Sequence, residues 1–138
     1  MSCIFCRVVG GEIPAEIVAA DAGAVAFLDV HPLADGHVLV VPRAHAATLE
    51  AMSSADVASL FSLVARVAGP ARQAVGAAGT TIGINNGPAT GQTVPHVHVH
   101  IVPRWPDDGA GSVHTLFRAG PRRPIGEVGA AIRKALSG

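Results

Sequence analysis

Three histidines separated by single valines, His96-Val97-His98-Val99-His100, form the densest chemistry-bearing segment of the chain. In an extended strand they fall on one face, and Val97, Val99 and Ile101 fall on the other. Neighbouring imidazoles then stand roughly 7 Å apart and the outer two roughly 13 Å, so one metal cannot take all three and the triplet divides its roles. A His-x-His pair is also a common metal site, and strand histidines can be idle; three in register are costly to place without use. Cys3 and Cys6 have metal-ligand spacing, and His45 lies just past the apolar run that ends at Pro42. Cys3, Cys6, His45 and His96 thus complete a Cys2His2 tetrahedral set with no open position, a structural zinc clip. Reduced, unliganded thiols remain an alternative for the cysteines. A redox pair fits less well, because Cys-Ile-Phe-Cys does not stand at the end of a strand leading into a helix. His98 and His100 are left beside a loop rich in Gly, Asn, Gln and Thr, and backbone N–H groups next to imidazoles suit a phosphate.

The elements that must position these groups are legible from pattern. Residues 3–9 have room for a short N-terminal turn of helix. Val18–Ala20 and Val25–Leu28 flank an Asp/Gly turn and read as an antiparallel hairpin. His37–Pro42 is apolar on both faces and reads as the central strand. Val57, Leu60, Phe61, Val64, Val67 and Ala68 keep helical spacing over Asp56–Val67, with Ser53 and Ser54 available as caps. Pro70 either ends that helix or interrupts it before Ala71–Val75. Thr80–Ile84 and Val94–Val102 complete the strands. The fold class expected is α+β, an antiparallel sheet of about five strands with one main helix and a short N-terminal helix. Residues 1–104 form the domain, and 105–138, rich in Gly, Pro and Arg, form a C-terminal extension that is mobile in part, with helical spacing only over Ile125–Leu136. His31 and His37 read as turn and strand-end residues.

Composition narrows the function. Ten basic side chains balance ten acidic ones over 138 residues, so no global field draws the protein to nucleic acid or an acidic membrane. Hydrophobic residues make up 49% and charged ones 14%, which favours a folded core over disorder. No apolar run reaches the roughly 18 residues of a membrane span, and Met1–Cys6 lacks the features of a signal peptide, so a cytoplasmic protein is expected.

Beyond the three histidines, the chain carries Cys-Ile-Phe-Cys, Gly11-Glu12-Ile13-Pro14, Ala26-Phe27-Leu28-Asp29, Gly36-His37-Val38-Leu39-Val40-Val41-Pro42 and Gly91-Gln92-Thr93-Val94. Together, over residues 3 to about 104, these resemble the histidine triad (HIT) superfamily, and within it the zinc-containing, Hint-like nucleotide-binding branch. The resemblance implies that His98 attacks the α-phosphorus of a nucleotide and forms a nucleotidyl-histidine that water hydrolyses. An imidazole is already nucleophilic near neutral pH. It implies that His100, Gln92 and Thr93 meet the phosphate, that Thr93 passes a proton toward the leaving group, that Gly91 admits the backbone closely, and that Asn85 adds a polar contact. It further implies a nucleoside pocket of Ile13, Phe27, Leu28 and Val30 with Asp29 on the ribose hydroxyls, a purine nucleotide substrate, and a homodimer.

Two features depart from the family pattern: Pro95 directly before the triplet, and the segment after Arg104, where the branch selects its leaving group. His114, Arg122 and Arg123 lie in that segment, and solvation is their default reading. Three functions follow. The first is a purine nucleoside phosphoramidate or nucleotidyl hydrolase, needing no added divalent metal for chemistry. The second is a dinucleoside polyphosphate hydrolase. The third is a zinc-stapled nucleotide-binding module without significant turnover.

Overall fold

Asp21 sets the first hairpin: its Oδ1 accepts from the N–H groups of Gly23 and Ala24, each at 2.9 Å, a side chain-to-backbone turn. On either side run β1 (Ile17–Ala20) and β2 (Ala24–Leu28), paired antiparallel. This is a computed structural model, and it describes residues 3–138. The remaining elements are α1 (Ile4–Val9), β3 (Val38–Pro42), α2 (Ser54–Ala74), β4 (Gly79–Gly83), β5 (Val99–Arg104) and α3 (Ile125–Ser137). The sheet is antiparallel, five-stranded and ordered β1-β2-β3-β5-β4. All five residues of the central β3 are buried, as its two-sided apolar run requires.

Alternation sorts the sheet into two cores. Ala24, Ala26, Val38, Val40, Val99 and Ile101 face α2, where they join Leu60, Leu63, Val64 and Val67. Val25, Phe27, Leu39 and Val41 face the other way and are covered by Phe5 and Val8 of α1. Each side chain of this size stabilises the fold by about 1.5–3 kcal/mol on full burial.

α2 begins where Ser53 Oγ accepts from the Asp56 N–H at 3.1 Å, an N-cap. It runs through Pro70 to Ala74, longer than the expected Asp56–Val67. Pro70 forfeits one helical hydrogen bond, while Val67 before it and Ala71 after it both pack on the main cluster and hold the helix on each side. Phe61, expected on the core face, is 39% exposed, and Leu63 takes the buried position.

The expected strand over Val94–Val102 starts only at Val99. Pro95 has no N–H to donate, the His96 N–H turns back to Val94 O, and the Val97 N–H reaches Ala46 O. On the facing strand, Pro42 is likewise without a donor, and its carbonyl accepts from the His96 ring. The ladder therefore cannot extend. His96 and His98 precede the strand, and only His100 lies on it, although Val97, Val99 and Ile101 still share the α2-side core.

The chain divides into two compact units, the first ending at Asp108 and the second spanning Gly109–Gly138. Arg104 pairs with Asp108 at 2.6 Å, and Trp105 Nε1–H donates to Gly76 O, fastening residues 105–108 to the first unit. The second unit holds a short 3-10 turn (Val113–Leu116) and α3, neither with a buried residue. Among the described residues no helix is long and apolar enough to cross a membrane.

Candidate functional site: two imidazole clusters joined at His96

α1 is capped by Cys3, whose Sγ accepts from the Cys6 N–H at 3.4 Å, and this single turn aims both thiols toward His45 and His96. Cys3 Sγ and Cys6 Sγ each lie 3.5 Å from His96 Nδ1; Cys6 Sγ is 3.3 Å from His45 Nδ1, and the two Nδ1 atoms are 3.2 Å apart. A tetrahedral zinc with about 2.3 Å bonds to sulfur and 2.0–2.1 Å to nitrogen has S···N edges of about 3.5 Å and N···N edges of about 3.3 Å. Three of the S···N edges and the N···N edge already have that spacing, and all four atoms lie within 4.8 Å of one another. His96 Nε2–H donates to Pro42 O at 2.8 Å, which places its lone pair on Nδ1, and such an outer partner is what orients a metal-bound imidazole. Burial first, then His45 and His98, hold the His96 pKa below its ordinary value, so the ring is neutral and able to ligate. Burial first, and then the adjoining Cys3 sulfur, push the Cys6 thiol up, so a cation is what favours its thiolate. The set fits a metal ion.

His96 also serves the second cluster. Its carbonyl accepts from His98 Nδ1–H at 2.8 Å, which leaves the His98 lone pair on Nε2. Phe5 stands edge-on to both rings, with centroids 6.0 Å from His96 and 5.0 Å from His98, and so fixes the pair from the α1 side. The His98 and His100 rings are 5.1 Å apart, closer than the roughly 7 Å spacing of a regular strand face.

His37 was expected to be a strand-end residue without a role. It directly precedes β3, but it is 2% exposed, and its Nε2 lies 2.9 Å from His100 Nδ1. Strand parity puts His37 on the face of Leu39 and Val41, and the register that sets Leu39 opposite His100 brings the two rings together. Burial first, and then the His98 and His37 charges, lower the His100 pKa to about 4, so this ring is neutral at physiological pH. His100 Nε2 is buried and has no hydrogen-bond partner among the described residues. An orphan of this kind costs about 1–3 kcal/mol unless a ligand meets it.

The loop before the triplet is built for shape. Gly87 and Gly91 have φ of +106° and +94°, values that favour glycine. Gln92, expected on a phosphate, commits its amide to the loop: Oε1 accepts from the Gly87 N–H, and Nε2 donates to Ala47 O and Val94 O. Asn86, missed from the sequence, accepts from the Leu49 N–H and donates to Glu50 Oε1. Asn85 and Thr93 are exposed.

The expected nucleoside pocket is only partly assembled. Ile13 packs with Phe27 in the cluster on the histidine side. Phe27 is itself buried, edge-on to Phe5 at 5.7 Å. Leu28 points to the opposite face and lines an apolar groove of about 550 Å³ with Val38, Leu63 and Val67; one step along a strand reverses the face. Val30 is 79% exposed. Asp29 Oδ1 accepts from the His31 N–H at 2.9 Å, and Oδ2 lies 3.7 Å from His37 Nε2.

A family model described as the HIT domain matches residues 10–107. An adenosine 5'-monophosphoramidase of Schizosaccharomyces pombe, hnt1, is 41% identical over 104 residues, 75% of each chain. The adenylylsulfatase HINT3 of Arabidopsis thaliana is 36% identical over 116 residues, 84% of this chain and 59% of the relative. A zinc-bound histidine triad family protein from Mycobacterium smegmatis superposes with a TM-score of 0.76 at 38% identity, covering 99% of this chain and 94% of that one. By the matched domain and by these relatives, the chain belongs to the histidine triad (HIT) family and to its Hint-like branch.

Proposed function

We propose that the protein is a purine nucleoside phosphoramidate or nucleotidyl hydrolase that works through a covalent intermediate on His98. The observation that carries this reading is the 2.8 Å bond from His98 Nδ1–H to His96 O, which puts the nucleophilic lone pair on Nε2. In the first half-reaction His98 Nε2 attacks the α-phosphorus and the P–N or P–O bond to the leaving group breaks. The leaving group departs with that electron pair and takes a proton that Thr93 relays. In the second half-reaction water attacks the same phosphorus, the P–Nε2 bond breaks with its electrons returning to His98, and the proton that water loses passes back through Thr93 to replace the one given to the leaving group. His100 holds a non-bridging oxygen. Ile13, Phe27 and Val30 border the base, Asp29 takes the ribose hydroxyls, and Asn85, Gly91 and Gln92 shape the phosphate loop. The relatives that act on adenosine monophosphoramidate and adenylylsulfate support an adenine nucleotide as substrate. Cys3, Cys6, His45 and His96 hold a structural zinc that fastens α1 to the sheet, and cysteines outside any disulfide suit the reducing cytoplasm.

The test is AMP release from adenosine phosphoramidate and from a diadenosine polyphosphate, with wild type beside His98→Ala. Turnover of the phosphoramidate that falls by 10³ or more in the variant is expected. Preference for the diadenosine substrate moves the protein to the dinucleoside polyphosphate class. AMP binding without turnover of either leaves a nucleotide-binding module. The same reading includes a homodimer, since β4 is an uncovered sheet edge with Ile82 exposed. Light scattering on the purified chain should return twice the monomer mass, and a monomer at micromolar concentration overturns that part.

A further inference from the structure

His37 lies outside the histidine triplet, yet its contacts determine what the triplet can offer. The Leu33 N–H donates to His37 Nδ1 at 3.1 Å. A backbone amide can only donate, so Nδ1 carries the lone pair and the proton of a neutral His37 is on Nε2. That Nε2–H faces His100 Nδ1 at 2.9 Å, which must therefore accept. The single proton of His100 is then on Nε2, the buried nitrogen that no group among the described residues meets. We infer that His37 is a positioning residue that sets the tautomer of His100, so that His100 presents an N–H donor, and not a lone pair, to the phosphoryl oxygen of the substrate.

Asp29, His37 and His100 also have ligand atoms within 4.8 Å of one another, a spacing that a divalent cation can use. The Leu33 amide argues against that. With Nδ1 already accepting, His37 could bind a metal through Nε2 only as an imidazolate. Asp29 Oδ2, 3.7 Å from His37 Nε2, is beyond hydrogen-bond range and does not draw the proton away from His100. Burial, the largest influence on both rings, favours their neutral forms, which a one-proton-per-ring chain needs. In the other tautomer a ring lone pair would confront an anionic oxygen.

The role of the donor in turnover rests on the proposed hydrolase reading; the tautomer does not, and the experiment separates them. Long-range 1H–15N spectra of the zinc-loaded protein distinguish a protonated from a bare ring nitrogen. In wild type, His100 should show Nε2 protonated and Nδ1 bare. His37→Leu should shift His100 toward the Nδ1–H form and lower kcat/KM for adenosine phosphoramidate by about 30- to 100-fold. His37→Gln, whose side-chain N–H can still donate to Nδ1, should keep the wild-type signature and stay within about fivefold. Leu33→Pro, at a residue 78% exposed, removes the amide proton that His37 Nδ1 accepts and should give a mixed signature, which keeps the test available if His37→Leu misfolds. A wild-type His100 protonated on Nδ1, or an unchanged signature in both His37→Leu and Leu33→Pro, overturns the inference. The expected tautomers in a protein that turns over no nucleotide uphold the relay and reject the hydrolase.

Discussion

Two clusters of histidine share the same face of the sheet and meet at His96, yet they are wired in opposite ways. Around Cys3 and Cys6, the two Nδ1 atoms and two sulfurs converge to 3.2–3.5 Å with no proton assigned between them. Around His37 and His100, the contacts run donor to acceptor, from the Leu33 amide to His37 Nδ1 and from His37 Nε2–H to His100 Nδ1. What separates the two is which ring nitrogen the backbone claims first. Pro42 O takes His96 Nε2–H and frees Nδ1 for a metal, whereas His96 O takes His98 Nδ1–H and frees Nε2 for chemistry. In the proposed reading, one residue type thus yields a ligand, a nucleophile and a donor, and carbonyl and amide positions choose among them.

The largest effect should come from breaking the convergent cluster. Without a cation, four groups that expect one are left crowding a shared space, and α1, with Phe5 and Val8, loses its anchor to the sheet. Stripping the metal with a strong chelator, or Cys6→Ser, should lower stability by roughly 3 kcal/mol and the melting temperature by about 10 °C or more. Activity should fall with it, because His96 carries the carbonyl that orients His98. His98→Ala, in contrast, should retain the metal in full by elemental analysis. A protein purified without metal, with a melting curve that chelator leaves unmoved, sinks the zinc assignment.

How much of this was legible in the sequence follows from the same distinction. The Cys2His2 set was readable because each part has its own signal: two cysteines one helical turn apart, one histidine just past an apolar run, and one at the head of the alternating triplet. The strand order placed β3 at the centre, where its unbroken apolar run called for cover on both faces. The role of His37 was hidden because it depends on register: nothing local to Gly36-His37-Val38 says that Leu39 will lie opposite His100. The true start of β5 was hidden because valine alternation at 97, 99 and 101 persists through a segment that makes no ladder. Only the missing donors of Pro42 and Pro95, and the His96 ring on the Pro42 carbonyl, end the pairing. Leu28 was grouped with Phe27 by family resemblance, against strand alternation, and the structure follows the alternation.

A smaller effect sharpens the comparison from the proton-wired side. The His100 pKa is about 4 in the fold against an ordinary 6.5, so between those values the unfolded chain binds more protons than the folded one. Stability from this group is therefore complete above about pH 6.5 and declines as pH falls toward 4, by about 3 kcal/mol in all. His37 is shifted in the same direction, for the same first cause, burial, and adds to the loss. Acid also protonates the thiolates, so wild type alone would mix the two clusters. The informative quantity is the difference between wild type and His100→Asn in denaturant titrations from pH 7.5 to 4.5, with metal content followed in both. Asparagine has no proton to gain, so the variant should lose less stability with acid, and the gap should change by about 2–3 kcal/mol across the range. A gap that stays constant with pH would mean that His100 is as easily protonated in the fold as in water. The His37–His100 contact would then be a bond to an imidazolium, and the contrast between a metal-wired and a proton-wired cluster would fail at its acidic end.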